Sequence, residues 1–564
     1  MAGSKPVMLG AYPAIRCPVR THYRFDPSVV AVSVPNSPEL QQIIDAGNAF
    51  EEALFEYVLA AAPDRVHLVD AHGGSAVLET ADAMERAVPL ILRAALPDDE
   101  EGKRVGRPDL LVRHGDSWPA KYVPGDVKLH KFLERKASNK RFSYEVVVAP
   151  ASDPSARSVI ADARPRGTRH EDDALQLAHY TRMLEALGRH PGPEHYEAFL
   201  VSGDEWDDWG KDAVHGTWIR LDEPAFSTYS RTEGSKKRSA LERYDHEFSF
   251  RLTVAENAAA AKPALVVPIY TSECETCDWY AQCEPTFAAD PTASFTSWRP
   301  SLREWLALRT LGITDVDDLA ALELTDEWLE RYVAEAGATS NWRKRLDLTI
   351  ERAKVASAGH TLVYRSAASQ GPRVADVEID LDMENDTSDR VFLWGARLRR
   401  GDDVSFHAFV RWDVLDDAAE LALADELTDW LAAQRDSAQS DGESIAIFHH
   451  GHVEKQRLRK IQGQGAVEAI GIEFVDTHRW AETNMVTTRA FALKPLATSL
   501  GFEWRDEDPG GRNCQLWLDR ARETSDAAER ATLQQRILDY NEDDTAATAW
   551  IRDHVADLPH LGSL

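Results

Sequence analysis

Cysteine is scarce, with five in 564 residues, too few for a disulfide framework. No uninterrupted apolar run reaches the ~18 residues that a membrane helix needs. The first residues lack the charged-then-apolar layout of a secretory signal. The expectation is a cytoplasmic protein with no membrane partner. A G-x-x-x-x-G-K-[ST] loop is also missing, because Gly234-Ser235-Lys236 has no upstream glycine. An ATP-driven motor is therefore not expected within this chain, and any unwinding needs a helicase or ATPase partner. Positive charge is in deficit, with 64 Lys and Arg against 94 Asp and Glu and a net charge of −30. Such repulsion opposes a general nucleic-acid coat protein, so any contact with phosphates must be local and helped by metal ions. Apolar residues are in good supply at 43%, enough for ordinary globular cores. The length suggests roughly three to four domains at ~150 residues each, and two large domains with a helical connector fit as well.

Four of the five cysteines form a pattern. Cys17 stands near the amino terminus, and Cys274, Cys277 and Cys283 follow as C-x2-C-x5-C. One early and three late thiolates can close a metal or iron–sulfur site that ties the two ends of a domain together. Cys514 is left over and reads as a core thiol.

Between those ends stand acids and a lysine in order. Glu51 (or Glu52) enters a helix whose apolar residues Phe50, Leu54, Tyr57 and Val58 recur at helical spacing. Pro108-Asp109 leads into an apolar strand, and Asp126-Val127-Lys128 places an acid and a lysine on one strand face. Gln176 and Tyr180, four apart, share a helix face. Phosphodiester hydrolysis needs carboxylates to hold Mg²⁺ or Mn²⁺ and a cation beside the attacking water. Asp109, Asp126 and Lys128 supply that set. Lys128, Lys131, Arg135, Lys136, Lys140 and Arg141, together with Lys236-Lys237-Arg238, offer basic patches for DNA contact.

This ordered combination resembles the RecB-like branch of the PD-(D/E)XK nucleases, whose four-cysteine members hold a [4Fe-4S] cluster with one ligand before the nuclease core and three after it. The resemblance covers about half the chain. It implies catalytic roles for Glu51, Asp109, Asp126, Lys128, Gln176 and Tyr180. It implies cluster binding by Cys17, Cys274, Cys277 and Cys283, with structural Zn²⁺ as the alternative. Many relatives carry a histidine in the first motif, where this chain has Asn48-Ala49-Phe50 before Glu51.

Residues 291–360 read as amphipathic helices. Within them, Leu311-Gly312-Ile313-Thr314 resembles the turn of a helix-hairpin-helix, although an ordinary helical linker is the simpler reading. Strand-like runs return from about residue 361, at Val374 to Leu381, Arg390 to Gly395 and Val404 to Val410. The polar stretch from Ser437 to Glu443 reads as a loop. In the first strand Glu378, Asp380, Asp382 and Glu384 share one face, a repulsive arrangement that invites cations. Glu454 and Asp476 each follow an apolar run, and Tyr540 and Asp544 share a helix face near the end.

These residues resemble an RNase H-like 3′–5′ exonuclease of the DnaQ type, in which such acids hold two metals. The resemblance implies metal binding by Asp380, Asp382, Glu384, Glu454, Asp476 and Asp544, with Tyr540 assisting. The pairing of the two halves resembles a bacterial family of RecB-like nucleases.

The expected fold is α/β, with a restriction-endonuclease-like domain at 1–290, a helical segment at 291–360 and an RNase H-like domain at 361–564. The expected function is metal-dependent cleavage of DNA, at single strands or ends. The rival is a catalytically degenerate, nucleic-acid-binding scaffold stapled by zinc or iron–sulfur.

Overall fold

Strand Glu197–Ser202 is buried at every position, and its side chains alternate between two separate cores. Ala198 and Leu200 join one apolar cluster, while Phe199 and Val201 join another. Such two-sided burial marks a central strand with both faces covered. The computed structural model describes residues 6–30, 38–135, 145–161, 163–204, 214–230, 234–294, 300–506 and 510–564. Within them the chain forms two compact units, Met1–Pro285 and Thr286–Leu564.

The first unit is built on an eight-stranded mixed sheet. Its strands are β1 (Val66–Leu68), β2 (Leu90–Leu92), β3 (Leu110–His114), β4 (Lys121–Lys128), β5 (Glu145–Pro150), β6 (Ser158–Ala161), β7 (Glu197–Ser202) and β8 (His215–Arg220). Their spatial order is β1-β2-β3-β4-β7-β8-β5-β6. β4 lies between antiparallel β3 and parallel β7, with Asp126 opposite Leu200. Helices α1 (Pro38–Ala61) and α2 (Gly167–Ala186) both touch β4, and α3 (Ala240–Ala259) packs on α2. Ser239 caps α3 in a reciprocal box with Glu242, which satisfies amides that would otherwise lack partners.

Of the expected basic patch, Lys136, Lys140 and Arg141 lie outside the described residues. The second patch lies on an exposed ribbon in which Gly234–Arg238 pairs with Phe226–Ser230.

The second unit begins with helices, among them Leu302–Thr310, Val316–Ala320 and Asp326–Ala336. At the turn after Gly312, the Thr314 amide donates to the Asp318 carboxylate at 2.9 Å. A phosphate-binding hairpin would keep that amide free, so the turn is closed from within. Helix α4 (Trp342–Ser357) follows, and its elements share a core with Leu308, Leu319 and Tyr332.

A five-stranded sheet comes next, formed by β9 (Val377–Asn385), β10 (Val391–Arg400), β11 (Asp403–Val410), β12 (Ile445–His449) and β13 (Glu473–Asp476). The order is β11-β10-β9-β12-β13. The first three strands are antiparallel neighbours, and β12 and β13 continue in parallel beside β9. Ile379 and Leu381 of β9 pack into a core with Leu423, Leu427 and Leu431. Those three leucines lie on helix Asp417–Asp441, which also takes in Ser437 to Asp441, so the loop expected there begins only at Gly442. Ala438 is buried in these last turns, and such burial outweighs their polar composition.

The other face of β9 carries its acids, and helix α7 (Ala527–His554) covers it. The buried stripe of α7 is polar: Tyr540, Asn541, Asp544, Thr548 and Arg552 recur at helical spacing.

Candidate active sites

In the first unit the fold brings the expected residues together. Asp126 is completely buried and ion-paired with Lys128, two positions along β4. Lys128 Nζ donates to Gln176 Oε1 at 3.0 Å, and Gln176 Nε2 donates to Asp126 Oδ1 at 3.3 Å and to the Tyr180 hydroxyl at 3.4 Å. Asp109 Oδ2 accepts from the Val127 amide at 2.8 Å, which pins the turn before β3 onto β4. Gly125 permits the close approach of β7 to β4 beside it, since a Cβ there would lie 2.7 Å from the Phe199 carbonyl oxygen.

Burial, and then the neighbouring Asp126, hold Asp109 well above the usual carboxylate range. Burial opposes the Lys128 ammonium, but Asp126 and other nearby groups outweigh it and its pKa is raised. Glu52 is bound by Arg93 Nη2 at 2.5 Å; Glu51 is raised by burial against the pull of the same arginine, and also feels Glu52, Asp126 and Lys128.

Residues that the motifs did not single out complete this centre. A cavity of about 270 Å³ opens beside Lys128 and Gln176, lined also by Tyr12, Arg16, His130 and Asp173. His179 lies beneath the site: its Nε2 faces the Val105 carbonyl at 3.0 Å, and its Nδ1 the Tyr244 hydroxyl at 2.7 Å. Because a carbonyl only accepts, Nε2 carries the proton and Nδ1 accepts from Tyr244.

The cysteines also approach one another. The Cys17 amide donates to Glu273 at 3.0 Å across 256 residues, and the Thr271 amide donates to the Cys274 sulfur at 3.3 Å. Burial pushes the Cys283 thiol up to about 12, and Cys17, Cys274 and Cys277 add to this through their proximity. Thiols raised in this way stay protonated unless a bound metal or cluster holds them as thiolates.

In the second unit, Asp382, Glu384 and Asp544 bring carboxylate oxygens within 4.8 Å of one another. Burial, then Asp544, Glu384 and Glu454, raise Asp382 well above its ordinary value. Burial and Asp544 push Glu384 up to about 8. Burial raises Asp544 as well, against the opposing influence of Lys494 and Trp504. Three acids repelling one another, Glu384 and Asp544 buried and Asp382 half-buried, form a donor set that suits a divalent cation.

The surrounding groups orient these acids. Trp504 Nε1 donates to Asp544 Oδ1 at 2.7 Å, Asn541 Nδ2 donates to Asp382 Oδ2 at 2.7 Å, and Lys494 Nζ donates to the Tyr540 hydroxyl at 2.9 Å. Gly395, opposite Asp382 in the sheet, makes room for Asn541, because a Cβ there would overlap the Asn541 side-chain oxygen. Glu454 is buried close to Asp382 and lies 3.6 Å from His449. Cys514 is fully buried against Glu384.

Two expected ligands are corrected. Asp380 is completely buried in an ion pair with Arg552, with Glu378 held by the same arginine and by Arg399. Its carboxylate therefore serves as a counter-ion. Asp476 caps helix α5 (Thr477–Asn484), where its Oδ1 accepts from the Arg479 amide at 3.0 Å and the Gly451 amide at 3.2 Å. It does not join the three-acid group. Sequence reasoning missed Lys494, Asn541, Trp504 and Arg552. Of these, Asn541 and Arg552 carried a signal, three residues before and eight beyond Asp544 on the same helix face.

Among the described residues no helix is long and apolar enough to cross a membrane. No curated protein matches the chain, and no solved structure matches it. Residues 379–556 match the family model of the RNase_H superfamily, so the second unit carries an RNase H-like domain of the kind found in nucleic-acid-processing nucleases.

Proposed function

We propose that the chain is a metal-dependent nuclease acting on DNA, at single strands or ends. The observation that carries this reading is the convergence of Asp382, Glu384 and Asp544 within an RNase H-like domain. A divalent cation there, Mg²⁺ or Mn²⁺, supplies charge neutralisation of the scissile phosphate. Asn541 and Trp504 fix the Asp382 and Asp544 carboxylates, and Lys494 holds the Tyr540 hydroxyl at the edge of the acids. Glu454 adds a fourth carboxylate beside Asp382.

The first unit is read as a second, RecB-like centre of the PD-(D/E)XK type. Asp109 and Asp126 there hold metal, and Glu51 extends the acidic set. Lys128, aligned by Gln176 and ion-paired with Asp126, serves at the attacking water. Cys17, Cys274, Cys277 and Cys283 are read as the ligands of one [4Fe-4S] cluster that joins the two ends of the unit.

The test is purified protein incubated with end-labelled single- and double-stranded DNA and RNA, in Mg²⁺, Mn²⁺ or EDTA. Metal-dependent cleavage of DNA that disappears when Asp382 and Asp126 are both changed to Asn supports the reading. Cleavage that survives the double change, or none in any metal, refutes it and leaves the degenerate scaffold.

A further inference from the structure

Arg352 is a buried cation without a partner. It lies on α4, is only 2% exposed, and its Nη1 has no acceptor. It makes no ion pair among the described residues. Burial, and then the neighbouring guanidinium of Arg365, pull the Arg352 pKa down to about 10; Glu351 opposes this only in part, because it is ion-paired with Arg365, which also donates to the Met485 carbonyl at 3.0 Å. Removing a guanidinium from water without a counter-charge is strongly unfavourable, so a buried unpaired arginine calls for an anion that arrives from outside.

The surroundings of Arg352 form such a destination. It lines a cleft of about 860 Å³ between α4, Arg365, α5 and the segment from Val486 to Phe491. That volume falls in the range of small-ligand sites. The lining holds five cations, Arg343, Lys344, Arg352, Arg365 and Arg479, against three acids, Asp347, Glu351 and Glu482. In a chain of net charge −30 this local excess stands out. Arg343 is held by Asp347, whereas the side chain of Arg479 is exposed and makes no ion pair among the described residues. Half-buried Leu348, beside the buried Phe491, adds an apolar patch to the lining. From Phe491 the chain runs directly to Lys494, which contacts Tyr540 beside the acidic group.

We infer that this cleft is a binding site for the phosphate of a nucleotide or of a nucleic-acid strand, with Arg352 as its buried anchor and Arg479 at its mouth. The guanidinium fork suits a phosphate in two-point contact, and a phosphate's charge answers the deficit around Arg352. The inference extends the nuclease reading but is measured apart from it, since binding in EDTA requires no cleavage.

The experiment uses the full-length protein in EDTA with three probes: a fluorescein-labelled oligothymidylate, thymidine 5′-monophosphate and inorganic phosphate. Arg352→Met is expected to weaken oligonucleotide binding by about tenfold or more, the loss of one charge-assisted contact. The same change should not lower the melting temperature of the free protein, because an unpaired buried charge has gone. Arg479→Gln, at an exposed position that tolerates change, is expected to reduce the slope of log K against log salt by about 0.7, one phosphate contact on a single strand. Competition by the monophosphate or inorganic phosphate identifies a site for a free or terminal phosphate. Binding of the oligonucleotide alone identifies a site for the strand backbone. If both variants bind all three probes as the wild type does, the site does not exist. Should Arg352→Met fail to fold, an unchanged salt slope in Arg479→Gln overturns the inference by itself.

Discussion

Asp544→Asn separates the stability of the second unit from its chemistry. The substitution keeps the size of the side chain and leaves an oxygen to accept from Trp504 Nε1, now 2.7 Å from Asp544 Oδ1. What it removes is one of three charges whose oxygens lie within 4.8 Å of one another. At an effective dielectric of about 20, two like charges at that distance repel by about 3.5 kcal/mol. Asp544 takes part in two such pairs when all three acids are ionised. Proton uptake relieves much of this in the metal-free protein, consistent with Glu384 being pushed up to about 8.

The residual gain expected for Asp544→Asn at neutral pH in EDTA is about 2 kcal/mol, a rise in melting temperature of about 4–8 °C. In excess Mn²⁺ the order reverses. The wild type gains about 2.7 kcal/mol at a hundredfold excess of metal over Kd, whereas the variant gains little. Thermal melts of both proteins in EDTA and in a Mn²⁺ series, alongside calorimetry, measure these differences. If Asp544→Asn melts lower than the wild type in EDTA and still shows the full Mn²⁺ shift, the three acids are not a metal site.

Three further predictions concern the first unit. With the second centre disabled by Asp382→Asn, Lys128→Ala should reduce the remaining cleavage by orders of magnitude without unfolding the protein; equal cleavage removes Lys128 from the chemistry. Protein purified without oxygen should be brown and contain iron, and Cys283→Ser should bleach it, whereas colourless protein with stoichiometric zinc would favour the structural metal. His179 should make the unit acid-sensitive, because burial pulls its pKa from 6.5 to about 4. Between those values the unfolded chain binds a proton that the folded one refuses, so its contribution of about 3 kcal/mol is complete above pH 6.5 and is lost as pH falls toward 4. His179→Gln should flatten that window in an acid-unfolding series, and coincident curves for the two proteins would contradict the assignment.

Much of the side-chain cluster in the first unit was legible because its members lie at short-range spacings. Asp126 and Lys128 are two apart on a strand, Gln176 and Tyr180 four apart on a helix, and both relations survive folding unchanged. Contacts that join distant segments left no such mark. Lys494 and Trp504 reach the second centre from segments with no local periodicity that points inward, and Tyr12 and Arg16 reach the first across more than a hundred residues. The loop expected near Ser437 failed for a related reason, since composition carried the reading while Ala438, polar-flanked in sequence, is buried within the helix.

The four acids of β9 show where a correct local rule runs out. Period-two alternation rightly put Glu378, Asp380, Asp382 and Glu384 on one face, and the repulsion along that face does demand cations. But six residues of strand span about 20 Å, while a pair of catalytic metals sits only about 3.5–4 Å apart. One metal centre cannot serve the whole row. Helix α7 divides it, presenting Arg552 to Glu378 and Asp380, and Asp544 to Asp382 and Glu384, two turns earlier on the same stripe. The cation for the first pair is thus part of the protein, whereas the second pair meets a third carboxylate, and on the proposed function its cation would come from solution. That division turns half of an acidic strand into a structural ion pair and leaves the other half as close carboxylates, raised by burial and by one another, a set that suits a metal ion.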